Sequence, residues 1–121
     1  MKKGVDISLY YNSKKIKVQN VKKVREFEKI TGLMFHRREK CPAMLFEFIH
    51  PTNMRIHSLF VFFPFLAVWL DDKNTIVDLK KIKPFELSAK SNKQFYKLLE
   101  IPINKKYSNQ IKTILKKFNN R

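Results

Sequence analysis

One long apolar stretch constrains the fold of this chain more than any other feature. It runs from His57 to Leu70 and reads HSLFVFFPFLAVWL. A membrane-spanning helix needs about 20 such residues, and a shorter run is typical of a buried core, so we expect no membrane span. Pro64 cannot donate a hydrogen bond to a β-ladder. The stretch therefore predicts two strands, Ile56–Phe62 and Phe65–Leu70, that meet at a bend.

Alternating apolar and polar residues predict several further short strands. Val5–Tyr11 and Lys14–Val18 flank the turn residues Asn12 and Ser13, which predicts an N-terminal hairpin. The other predicted strands are Ala43–Phe48, Thr75–Lys80 and Phe95–Ile103. Many short strands separated by turn residues favour a mainly β (α+β) fold, arranged as a small antiparallel barrel or sandwich.

One internal segment has helical spacing instead. Asn20 is a suitable N-cap, and Gly32 stands where a helix commonly ends. The pattern predicts an amphipathic helix over about residues 20–31. Its apolar face consists of Val21, Val24, Phe27 and Ile30.

The segment 107–118 near the C-terminus fits two structures. Its apolar residues match the stripe of a helix whose other face carries lysines, but a strand over Ile111–Leu115 fits as well. The helical stripe is Tyr107, Ile111, Ile114, Leu115 and Phe118, and the lysines opposite it are Lys112, Lys116 and Lys117.

Length and cysteine content indicate one intracellular domain. A chain of 121 residues with 44% hydrophobic residues suits a single domain over residues 1–121. The lone Cys41 cannot form an internal disulfide, as is usual in a reducing compartment. The N-terminal residues contain no apolar run typical of a signal peptide, so we expect a cytoplasmic location.

The charge is strongly positive. With 26 basic and 10 acidic residues, the net charge is +16, which favours nucleic acid or another polyanion as partner. Arg37 and Arg38 form a loop cluster, and the basic tail, about residues 104–121, contains six basic residues and no acidic one. Two other interpretations stay open: an ordinary solvated surface, or a lysine excess that reflects composition bias.

Catalytic and metal chemistry find little support in the sequence. His36, His50 and His57 lack the spacing of metal ligands, and Cys41 has no neighbouring cysteine. His57 and Ser58 are adjacent, and neighbours on a strand point to opposite faces, so they do not form a catalytic dyad. We expect neither cofactor nor metal, and we interpret His57 as a structural or pocket-lining residue.

The aromatic residues of the apolar stretch could stack on nucleobases. Such platforms combine exposed aromatic residues with nearby basic ones, but this stretch has no interleaved lysine or arginine. Core packing is therefore the favoured interpretation. The residues concerned are Phe60, Phe62, Phe63, Phe65 and Trp69.

Five pieces in order resemble the domain-of-unknown-function family 192. They are Gly32–Arg38 (GLMFHRR), Met44–Phe48 (MLFEF), Ile56–Asp71, Thr75–Phe85 (TIVDLKKIKPF) and Leu99–Pro102 (LEIP). The resemblance covers about residues 16–103. It implies a small, mainly β, barrel-like domain of archaea and bacteria, and it brings no cofactor or catalytic mechanism.

The chain departs from that family at polar positions. Leu66 stands where the family has an acidic residue, and Phe62 stands where it has arginine. Asn104 replaces the glycine that follows the last strand of the family pattern. The resemblance therefore implies a retained scaffold that uses another surface.

The sequence supports two functional hypotheses. The first is a non-catalytic binding module whose basic surface contacts nucleic acid or another polyanion. The second is a small-ligand or protein-interaction module in which the charge is incidental. The candidate binding residues are Arg37, Arg38, His57, Lys112, Lys116 and Lys117.

Overall fold

The computed structural model describes residues 4–24, 37–53, 62–85 and 89–119. Within these ranges the chain forms six strands, a 3-10 turn and one α-helix. The elements are β1 (Val5–Tyr11), β2 (Lys14–Val24), β3 (Ala43–Thr52), β4 (Phe65–Leu70), β5 (Ile76–Ile82), β6 (Phe95–Pro102), the 3-10 turn Lys105–Tyr107, and α1 (Ser108–Asn119).

The six strands form one mixed sheet in the order β1-β2-β3-β6-β4-β5. β2 and β3 are parallel, and the remaining neighbours are antiparallel. The sheet curves into an open half-barrel whose edges meet at one bridge between Tyr10 and Thr75. The mainly β prediction is confirmed, and in place of the expected small antiparallel barrel or sandwich the sheet is an open half-barrel with one parallel pair of strands.

Each face of the sheet carries its own apolar core. Alternate strand residues point to opposite faces, so neighbouring residues of one strand enter different cores. α1 covers what we call the helix face, where Tyr107, Ile111 and Ile114 pack against residues such as Leu66 and Leu99. The second face holds another cluster, which includes Cys41, Met44, Phe63, Phe65, Trp69 and Phe95.

The predicted internal helix is wrong over residues 20–24, which belong to β2. Asn20 has a left-handed backbone with φ 56°, and the register with β1 shifts next to it. This irregularity lengthens the spacing from Val18 to Val21 to three residues, and an equal spacing from Val21 to Val24 completes a pattern that imitates a helix. Val21 and Val24 in fact lie in the cores of opposite faces. Residues 25–31 lie outside the described ranges.

Most of the predicted strands are confirmed. β1 and β2 form the N-terminal hairpin, and both turn residues, Asn12 and Ser13, have positive φ values of 50° and 64°. The second half of the apolar stretch is β4, which is buried throughout. Residues 56–61 of its first half lie outside the described ranges, and Phe62 is exposed. For the C-terminal segment, the helical alternative is the observed one.

Candidate functional site

Several elements end together at one edge of the half-barrel. Pro102 at the end of β6 pairs with Phe65 at the start of β4, and Phe65 pairs with Ile82 at the end of β5. β3 begins close by at Ala43, whose neighbour Met44 pairs with Glu100 of β6. We call this edge the Pro102 end.

Asn104 connects two distant segments at the Pro102 end. Its Nδ2 donates hydrogen bonds to the backbone oxygens of Arg38 at 2.7 Å and Cys41 at 3.3 Å. Its Oδ1 accepts a hydrogen bond from the backbone nitrogen of Tyr107 at 3.2 Å, which caps the 3-10 turn. Asn104 is buried, so these bonds form away from water. The loop before β3 is thereby held against the chain that leads into α1.

Tyr107 joins the two parallel strands at the same edge. Its hydroxyl donates to the backbone oxygen of Asn20 at 2.7 Å and accepts from the backbone nitrogen of Ala43 at 2.9 Å. Burial raises the pKa of the Tyr107 hydroxyl, while the bond from Ala43 acts in the opposite direction. The hydroxyl is therefore a structural hydrogen-bonding group at neutral pH.

The same contacts bring two predicted basic segments together. Arg38 Nε donates to the backbone oxygen of Ile103 at 2.7 Å. Glu39 Oε1 accepts from the backbone nitrogen of Lys105 at 3.0 Å. Burial raises the pKa of the Cys41 thiol, and the nearby charges of Lys106 and Lys22 partly offset that rise. We call this group of side chains the basic junction: Lys22, Arg37, Arg38, Lys40, Lys105 and Lys106.

The other predicted binding residues lie elsewhere. α1 runs from the basic junction toward the β1–β2 turn, where the ring of Phe118 lies 5.0 Å from that of Tyr11. Lys112 and Lys116 are exposed along this helix, and Lys117 is half-buried. The structure therefore places Arg37 and Arg38, but not these lysines, in the junction. His57 lies outside the described residues.

A buried carboxyl group lies beside the junction, on the second face. Glu100 pairs with Met44 and Ala67 on the neighbouring strands and is 8% exposed. Burial raises its pKa to about 8, so the carboxyl is largely neutral at pH 7. No described side chain forms an ion pair with it. The sequence analysis missed Glu100, although a charged residue inside the apolar run LLEIP was the available signal.

Cys41 lies near Glu100, and its free thiol is buried. Burial, followed by the nearby Glu100 carboxyl, raises the pKa of the thiol to about 12. Because the thiolate is the nucleophile, a thiol with this pKa reacts slowly at neutral pH. Among the described residues, no group of three or more histidine, cysteine, aspartate or glutamate side chains could hold a metal ion.

The fold and the charge of the chain place it in one structural class. The chain is a small, basic, open half-barrel of six strands with a C-terminal helix on one face. In the described part of the chain, no helix is long and apolar enough to cross a membrane. The model of the DUF192 family, described as "Uncharacterized ACR", matches residues 8–113, and the chain belongs to this family.

Two solved structures share the fold at low sequence identity. A protein of unknown function from Novosphingobium aromaticivorans aligns with a TM-score of 0.68 and 13% identity, covering 91% of this chain and 86% of its own. A candidate transcription regulator from Sinorhizobium meliloti aligns with a TM-score of 0.68 and 15% identity, covering 88% of this chain and 84% of its own. No curated protein matches the sequence.

Two of the departures from the family pattern fall in different surroundings. Leu66, at the family's acidic position, is buried in the core of the helix face. Phe62, at the family's arginine position, is exposed at the Pro102 end. In this chain, these two positions do not form one polar site.

Proposed function

We propose that this protein is a binding domain that holds single-stranded nucleic acid by its phosphates, chiefly at the basic junction. The observation that supports the proposal is the convergence of two basic segments that are far apart in the sequence. The contacts of Arg38 with Ile103 and of Glu39 with Lys105 bring these segments together.

Electrostatics explain why this convergence favours a polyanion. The six basic side chains belong to segments that these contacts hold together, and Glu39 is the acidic residue within their loop. Its Oε1 accepts a hydrogen bond from the backbone of Lys105, which places the negative charge against the protein's own chain. Each bound phosphate would release condensed cations, so the site would bind tightly at low salt and weakly at high salt.

One structural neighbour carries a functional description: the protein from Sinorhizobium meliloti is described as a candidate transcription regulator. At 15% identity the likeness concerns the fold alone, so this description defines no ligand for the present chain.

A second candidate function is a protein-interaction or small-ligand module with incidental charge. Lysines also occur near both edges of the sheet, with Lys80 and Lys81 on the edge strand β5 and Lys14, Lys15 and Lys17 on β2, next to the edge strand β1. Lysines near sheet edges discourage pairing with other chains, which explains part of the charge without any nucleic acid.

The deciding experiment is a titration of labelled single-stranded RNA at several salt concentrations. For a handful of phosphate contacts, the log–log slope of affinity against salt should be about −3 to −6. Replacing Arg37 and Lys105 with glutamine should make the slope shallower by roughly 1.4 to 1.8, since each contact contributes roughly 0.7 to 0.9. Both side chains are exposed, so the fold should persist.

A matched control exists in the segment that precedes β6, at the end of that strand away from Pro102. The segment with Lys90 and Lys93 packs on β5 of the second face, where the backbone nitrogen of Asn92 donates to Asp78 Oδ2 at 2.7 Å. The Lys90→Gln, Lys93→Gln variant changes the net charge equally and should leave the slope nearly unchanged. An equal loss in both variants would show that total charge, not the junction, sets the affinity. Absence of binding at low salt would favour the interaction-module function.

The α1 lysines need a separate variant. Lys112→Gln with Lys116→Gln removes two exposed charges from the helix, and a slope change would extend the interface along α1. An unchanged slope would restrict the interface to the basic junction.

A further inference from the structure

Two exposed phenylalanines contact each other at the Pro102 end. The rings of Phe62 and Phe85 lie 5.3 Å apart at an angle of 76°. Phe62 is 58% exposed and Phe85 is 52% exposed, although phenylalanine is among the residues most often buried. Exposed apolar groups that lie together, rather than singly, are typical of binding surfaces.

The backbone of Phe85 is held in an unusual conformation. Its φ is 63°, in the left-handed region that bulky residues rarely adopt. Such a conformation persists only where the surrounding structure enforces it, and these conformations concentrate at ligand sites. The turn after β5 thus presents the Phe85 ring at the surface.

The aromatic pair adjoins the basic junction through one residue. The backbone nitrogen of Ile103 donates to the backbone oxygen of Pro64 at 3.1 Å, two residues after Phe62. The backbone oxygen of the same Ile103 accepts from Arg38 Nε at 2.7 Å. Ile103 therefore lies between the segment that carries Phe62 and the arginine loop.

We infer that the Phe62–Phe85 pair stacks on an unpaired base of a single strand whose phosphates lie on the basic junction. This inference rests on the proposed function and specifies its ligand. Sites for single-stranded nucleic acid combine aromatic side chains for the bases with basic side chains for the backbone, and both are adjacent here. The positive surroundings favour a nucleic acid over an apolar protein segment as the occupant.

Comparison of oligothymidine with an abasic oligonucleotide of equal length separates stacking from phosphate binding. Phe62→Ala and Phe85→Ala should each weaken oligothymidine binding about 5- to 150-fold, the range that base–aromatic stacking gives. Binding of the abasic strand should not change, because it offers phosphates only. Ile49→Ala, which removes another exposed apolar side chain, is the matched control and should change neither affinity.

A second variant gives a direct signal without loss of the aromatic ring. Phe85→Trp should bind oligothymidine about as well as the wild type does, and stacking should quench the added indole fluorescence. The native Trp69 is fully buried, so the wild-type protein supplies the background signal. The abasic strand should cause no quenching.

The outcomes distinguish this inference from the proposed function. Equal affinity for oligothymidine and the abasic strand, without quenching, would overturn stacking while salt-dependent phosphate binding still stood. Failure of both strands to bind at low salt would overturn both proposals. Loss of affinity in Phe85→Ala together with quenching in Phe85→Trp would establish the aromatic pair as the base site.

Discussion

An asparagine stabilises each end of the sheet, and the two do so in different ways. At the Pro102 end, Asn104 is buried, has an extended backbone with φ −137°, and binds the loop before β3 through its side chain. At the opposite end, Asn74 is half-buried and left-handed, with φ 66°. Its Nδ2 donates to the backbone oxygen of Ser8 at 3.1 Å, and its Oδ1 accepts from Lys97 Nζ at 2.7 Å.

The two asparagines have different structural roles. Asn74 lies in the turn between β4 and β5, and its backbone oxygen accepts from the backbone nitrogen of Tyr10 at 2.9 Å, which brings the two sheet edges together. Asn104 instead attaches the C-terminal segment and positions the basic junction. Because water can replace lost hydrogen bonds more easily at Asn74, the Pro102 end should be the more sensitive of the two.

The largest expected loss is from Asn104→Ala. This change removes three side-chain hydrogen bonds and leaves the buried backbone oxygen of Cys41 without this partner. We expect the free energy of unfolding to fall by about 2–4 kcal/mol, in line with buried groups left unsatisfied. Urea denaturation measures this loss, and a change below about 0.5 kcal/mol would contradict the role of Asn104.

Glu100→Gln tests the neutral carboxyl group beside the same end. Glu100 in the folded protein, with a pKa of about 8, keeps a proton that the unfolded chain releases near its ordinary value of 4.5. The contribution of Glu100 to the free energy of unfolding of the wild type is thus fully present below pH 4.5 and is lost as the pH rises toward 8. The glutamine side chain does not titrate, so the variant should be similar in stability at about pH 4 and more stable by on the order of a few kcal/mol at about pH 8.

Denaturation curves across this pH range provide the measurement. Lys97, three residues earlier on β6, differs from Glu100 because its ammonium group has two polar partners. These are Asn74 Oδ1 at 2.7 Å and the Glu47 carboxylate at 3.9 Å. A stability difference between Glu100→Gln and the wild type that stays constant across the range would show that Glu100 is not neutral in the folded protein.

The smallest expected effect is at Asn74. Asn74→Ala should lower the free energy of unfolding by about 1–2 kcal/mol, since it loses two partly exposed hydrogen bonds and places alanine in the left-handed region. Asn74→Gly loses the same bonds without backbone strain, so it should be the more stable of the two variants. Thermal unfolding compares them, and equal stability of the alanine and glycine variants would exclude a contribution from the positive φ.

Local patterns predicted a large part of the fold. The hairpin of β1 and β2 followed from alternation around Asn12 and Ser13, and β4 followed from the residues after Pro64. Both depend on neighbours in sequence, which is why a pattern of a few residues was sufficient. The C-terminal segment was ambiguous because its apolar spacing allowed two structures, and packing of Tyr107, Ile111 and Ile114 on the helix face favours the helix.

The incorrect helix shows where such patterns fail. Val21 and Val24 have helical spacing, but they belong to a strand that pairs in parallel with β3, and residues three apart on a strand point to opposite faces. Parallel pairing joins strands that are distant in sequence, so no local pattern contains it. The candidate binding residues are affected similarly, because the sequence offered the arginine loop and the basic tail as separate segments and the contact of Arg38 with Ile103 depends on the fold.

The sequence by itself determined the β-rich class, the family, the buried apolar strand after Pro64 and the strongly positive charge. These properties depend on composition and on the spacing of neighbouring residues. Only the tertiary structure decided that Arg38 meets Ile103, that Glu100 is buried without a charged partner among the described residues, and that Phe62 and Phe85 lie together at the surface. Each of these depends on contacts between distant segments, which form only when the whole sheet assembles with a core on each face.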